Sequence, residues 1–135
     1  MDTDLRIFPF EFDHRYQLLL RAVGVRPGNS QLRLTADELT ARFGPWLVKT
    51  PLGNVSGACL TGPYRAHRAI GARLSLADRG VTFGSTCAGG VCVLFHEPVT
   101  GLDPLGLLKH PGLTVTVADR EGLHAELLRR IHPTP

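Results

Sequence analysis

This sequence is short of the usual signatures of chemistry. Its three cysteines include no C-x-x-C pair, so the redox spacing is missing, and no second pair exists to complete a zinc set. Ser75 and Ser85 have no G-x-S-x-G context, which excludes a hydrolase elbow. Neither Gly-rich phosphate-loop pattern occurs. The histidines, His14, His67, His96, His110, His124 and His132, are scattered, with no H-x-x-x-H pair. No apolar run approaches the roughly 18 residues of a membrane span. The N-terminus, MDTDLRIF, has two acids and no basic leader region. An odd cysteine count in a chain of this kind argues against a disulfide framework. The expectation is a soluble cytoplasmic protein with no cofactor, no metal and no transmembrane segment.

What is present describes a folded domain. A chain of 135 residues fits one domain, residues 1–135, and 43% hydrophobic residues suffice for one core. Fifteen glycines and ten prolines predict many turns. The net charge is +3, and the pI is about 9.1. Such a balance permits an anionic partner without requiring one.

The segment IFPFEF sets Phe8, Phe10 and Phe12 on alternate positions, a short strand that Pro9 assigns to an edge. Asp13 then caps a helix in which Phe12, Tyr16, Leu19, Leu20 and Val23 recur at helical spacing, with Gly24 as the stop. Leu32 and Leu34, then Leu39, Ala41 and Phe43, alternate on either side of Ala36-Asp37, a hairpin. WLVKT begins a third strand that PLGN interrupts and VSGACL continues. RLSLA and GVTFG flank Asp78-Arg79 as another hairpin, and GVCVLF is a further strand. After a long loop, Leu113, Val115 and Val117 alternate in LTVTV. Asp119 caps a last helix with Leu123, Leu127, Leu128 and Ile131 as its apolar stripe. Short connections predict a mainly antiparallel sheet of about seven strands. One helix cannot cover both faces of such a sheet. The sheet is therefore expected to curl on itself, with the last helix plugging an open end.

That order resembles the pleckstrin-homology-like fold, a bent antiparallel β-barrel closed by a C-terminal helix. The resemblance spans roughly residues 31–131. It rests on QLRLTADELTARFGPWLVKTPLGNV and LTVTVADREGLHAELL. The whole chain also resembles a family of small uncharacterised actinobacterial proteins that share FGPW, GPY, RLSLADRG and TFG. The N-terminal strand and short helix stand outside the minimal fold. The fold hosts lipid, peptide and protein binding as well as structural roles, so it does not imply function.

Three features carry candidate chemistry. FGSTCAGGVCVLF holds Cys87 and Cys92, which face each other if Ala88-Gly89-Gly90 is the turn of a hairpin, with the glycines there for positive φ. A metal site from Cys87, Cys92 and His96 is disfavoured, because four residues of strand separate Cys92 from His96 by about 13 Å. Cys59 reads as a small buried residue. In PYRAHRAIGAR, Arg65, His67, Arg68 and Arg73 gather beside Tyr64, with Glu38 and Asp78 the nearest acids. These residues are the candidate ligand-binding set, suited to a phosphate, a carboxylate or an acidic protein surface. The other basic residues are dispersed, which argues against nucleic acid. Trp46 suits the rim of the core, or a partner anchor. The functional expectation is a non-enzymatic binding or protein-interaction module. The alternatives are a small-molecule or lipid carrier with a barrel cavity, and an enzyme using a Cys thiol.

Overall fold

The computed structural model describes residues 5–63, 70–74, 80–101 and 108–131. Among the described residues, nine strands and two α-helices follow in the order β1 (Arg6–Pro9), α1 (Gln17–Ala22), β2 (Ser30–Leu34), β3 (Glu38–Phe43), β4 (Trp46–Pro51), β5 (Val55–Thr61), β6 (Gly71–Leu74), β7 (Val81–Gly84), β8 (Gly90–Val99), β9 (His110–Val115) and α2 (Arg120–Ile131). The mainly β expectation holds. The closed barrel does not: the strands form a four-stranded sheet, β1-β2-β3-β4, and a five-stranded sheet, β5-β8-β9-β7-β6. All ladders are antiparallel except β7 with β9, which is parallel.

The stretch PLGN explains the difference. It does not interrupt one strand. Pro51 leads into a 3-10 turn at Leu52–Asn54, and the chain leaves one sheet for the other. Asn54 fixes this corner with its side chain. Its Nδ2 donates to Thr50 Oγ1 and to Glu97 O at 3.0 Å each, and its Oδ1 accepts from Glu97 N at 2.9 Å. The earlier hairpin turn is held by Thr35, whose hydroxyl accepts from the backbone of Asp37 and Glu38.

On the opposite side, the segment after β1 joins the sheets. Phe10 forms a β-bridge with Val117. Ala118 N donates to Pro9 O, Glu11 N to Thr116 O and Asp13 N to Ser85 O, at 2.9 to 3.0 Å. Ser85 and Thr116, both fully buried, complete the seam. Thr116 Oγ1 accepts from Ser85 N at 2.9 Å, and its own proton faces Phe83 O and Ser85 Oγ. Ser85 Oγ donates to Glu11 O at 2.6 Å.

The alternating leucines and valines face inward as expected, and Phe43 sits at the centre. Its ring stacks on Phe83 at 5.3 Å and meets Phe10 at 5.1 Å. Aromatic side chains from both sheets thus meet in the interior.

The last helix does not plug a barrel mouth. It lies against β5 and, more lightly, β8. Leu123 and Leu127 are fully buried there, and Ile131 packs at the margin. Between them lies Glu126, only 7% exposed, which the apolar stripe gave no hint of. Its carboxylate accepts from Arg129 Nε at 2.6 Å and from Arg6 Nη1 at 3.1 Å, with Arg130 Nη2 at 3.6 Å. Arg6 belongs to β1, so this ion cluster ties the helix to the other sheet. Arg130 Nη1 adds a bond to Thr35 O at 2.7 Å.

Replacing Thr116 by Val keeps the shape but leaves Ser85 N–H buried without its acceptor. The expected loss is about 1–3 kcal/mol of unfolding free energy, read from urea titrations. A loss below ~0.5 kcal/mol would mean that the seam is dispensable. Glu126 gives a pH test. Its hydrogen bond from Arg129 holds the carboxyl below its ordinary value, helped by the charges of Arg130, Arg129 and Arg6 and opposed by burial. The stabilisation is therefore complete above the unfolded carboxylate value and lost as pH falls through the lower folded value. The stability gap between the parent and Glu126→Gln should shrink between about pH 5 and about pH 2. A constant gap across that range would contradict the assignment.

Candidate binding site

The site begins with the way α1 leaves the seam. Asp13 caps a 3-10 turn, His14–Tyr16, by accepting from Arg15 N at 3.0 Å. Arg15 also pairs with it through its guanidinium at 3.0 Å, which lowers the Asp13 carboxyl below its usual value. A 3-10 turn advances about 120° per residue, against about 100° in an α-helix. The expected apolar stripe is consequently out of phase. Leu20 is buried, and Phe12 and Tyr16 pack at the core margin. Leu18, Leu19 and Val23 stay 82%, 64% and 48% exposed.

Beside these residues lies an open cleft of about 290 Å³. Leu19 of α1, Val23 just after it, Trp46 of β4, and Ile70, Ala72 and Arg73 line it. Trp46 is half-buried and packs on Phe43 at 6.4 Å, so it serves core and cleft together. Arg73 is exposed at the edge, and its Nε donates to Ile70 O at 2.6 Å, which fixes the guanidinium there. On the other side of α1, a smaller hollow of about 160 Å³ carries Phe12, Val25, Arg21 and Arg26.

The sequence of the flanking elements is poor in acids, although Asp13 balances Arg15. From His14 to Ala36 the sequence has Arg15, Arg21, Arg26 and Arg33 and no acid. From Leu39 to Ala77 it again has none. An apolar cleft with Arg73 at its edge can seat leucine-like side chains while pairing a neighbouring carboxylate.

Of the arginine segment, the structure places Arg73 at this cleft. Arg65, His67 and Arg68 lie outside the described residues. Leu19 and Val23, on the stripe expected from periodicity, are exposed instead, and the sequence carries a signal for it. Leu18, Leu19 and Leu20 are consecutive, so they span about 200° of a helix, more than a short helix can bury against one surface.

The cysteines fall differently from expectation. Cys87 and Cys92 do not face each other, because β7 pairs with β6 and β9, not with β8. Cys87 lies between β7 and β8, and its Sγ donates to Tyr16 Oη at 3.9 Å. Cys59 is not buried but exposed, and it stands directly opposite Cys92 in the β5–β8 ladder. Gly89 has the expected positive φ, 155°, and also lacks space for a side chain. A Cβ there would lie 2.8 Å from both Thr61 O and Arg120 Nη1. Gly90 opens β8. Among the described residues, no group of three His, Cys, Asp or Glu side chains is placed to hold a metal ion, and no helix is long and apolar enough to cross a membrane.

No protein-family model, curated protein or solved structure matches this chain.

Proposed function

We propose that the protein is a non-enzymatic protein-interaction module that receives an acidic, leucine-rich segment of a partner in the cleft between α1 and β6. One observation carries this reading: Leu19 on α1 and Val23 just after it are exposed and line an apolar cleft whose edge carries Arg73, in a stretch of chain poor in acids. Contiguous exposed apolar surface of this kind favours association, because covering it removes apolar area from water. The Arg73 guanidinium at the rim favours acidic over basic segments. Trp46 supplies a rigid aromatic surface of the type that dominates binding energy at interfaces.

The carrier alternative needs a hollow interior, and the ring stack of Phe10, Phe43 and Phe83 argues for a filled one. A relation to the pleckstrin-homology-like fold is supported by antiparallel strands followed by a C-terminal helix. The division into two sheets weighs against a close one.

The test uses a short fluorescein-labelled amphipathic Leu/Glu peptide and its Leu/Lys counterpart, with fluorescence anisotropy as the readout. The acidic peptide should bind, and binding should weaken as salt rises. Leu19→Glu and Arg73→Glu should each weaken it about tenfold or more with little change in melting temperature, since both side chains are largely exposed. Equal binding of the two peptides at low salt, or no binding of either, would reject the proposal.

A further inference from the structure

We infer that Cys59 and Cys92 form a cross-strand dithiol that closes reversibly to a disulfide on reaction with a low-molecular-weight disulfide of the glutathione class. This inference is independent of the cleft and of its partner. The two residues are directly opposed in the antiparallel β5–β8 ladder. Directly opposed residues have Cα atoms about 4.5–5.5 Å apart. That interval lies inside the roughly 4.4–6.8 Å spanned by disulfides. Their side chains also share a face. The adjacent pair, Ala58 with Val93, turns inward, Val93 being fully buried and Ala58 packing against the core. Cys59 and Cys92 therefore point outward together.

Cys59 is the sulfur that a reagent in solvent reaches first. Gly57 precedes Cys59 on the same outer face; on β9 Thr114 stands opposite Cys92, and a Cβ added at nearby Gly112 would lie 3.9 Å from Cys92 Sγ. Cys59 is exposed and Cys92 half-buried, and all three cysteines of the chain are thiols. The third, Cys87, lies outside the strands, against Tyr16.

Exposure sets the order of steps. The Cys59 thiolate attacks one sulfur of the small disulfide, forming a mixed disulfide and expelling one thiolate. The Cys92 thiolate then attacks the Cys59 sulfur and expels the second. Two protein thiols are oxidised, one small disulfide is reduced to two thiols, and the two protons pass to those leaving groups. The product staples β5, the edge strand on which α2 rests, to β8 within the sheet.

The experiment incubates the full chain with oxidised glutathione and reads intact mass and a non-reducing peptide map. The parent and Cys87→Ser should lose two hydrogens, show a Cys59–Cys92 link, and regain both hydrogens on reduction. Cys59→Ser and Cys92→Ser should stop at a glutathione adduct. A stable adduct on the parent, a link involving Cys87, a disulfide-linked dimer as the main product, or no reaction would each overturn the inference. The parent's map decides the matter even if a serine variant folds poorly.

Discussion

Two sheets that do not close into a barrel must be held together along their edges. The segment from Pro9 to Asp13 does this. It leaves β1 in one sheet and bonds to the end of β9 and the end of β7 in the other. Its backbone groups are taken from water, so each has to find a partner inside the protein. Thr116 and Ser85 are the small hydroxyl side chains that satisfy what the backbone alone does not. The same segment sends Phe10 into the stack with Phe43, so polar and apolar contributions act on one short piece of chain. The β4–β5 corner, pinned by Asn54, holds the opposite side.

The rest of the surface follows from where that seam ends. Asp13 is its last residue and also the cap of the next turn, so the phase of α1 is set by the seam and not by the helix's own hydrophobic pattern. A helix of six residues has little cohesion of its own with which to resist. Its leucines are left outward, and the cleft against β6 results. At the other end of the chain, Glu126 shows the same dependence on tertiary context. A carboxylate on the buried side of α2 is tolerable because Arg129 and Arg130 lie on the same helix and Arg6 arrives from β1.

Much of the local structure could be read directly. The alternation in LRL, LTARF and LTVTV predicted strands that the structure contains, and the inward set is the one that is buried. Asp13 caps a helical turn, and Asp119 Oδ1 accepts from Gly122 N at the start of α2. Of the candidate ligand-binding residues, Arg73 lies at the cleft, whereas Leu19 and Val23, on the expected apolar stripe, are exposed. The cysteine pair was sought between neighbours in sequence, Cys87 and Cys92, when its member nearest in space was Cys59, thirty-three residues before Cys92.

By itself, then, the sequence determined which residues form strands, which face of each strand is apolar, where the turns fall and where the charges are missing. These properties depend on chirality, on the two-residue strand period and on neighbours a few positions away. Only the tertiary structure decided that PLGN is a crossing between sheets, that β7 lies parallel to β9, that Cys59 meets Cys92 and that α1 turns its leucines outward. Strand alternation specifies a face but not a partner. Partners are chosen by long-range burial and by the backbone hydrogen bonds that burial makes obligatory.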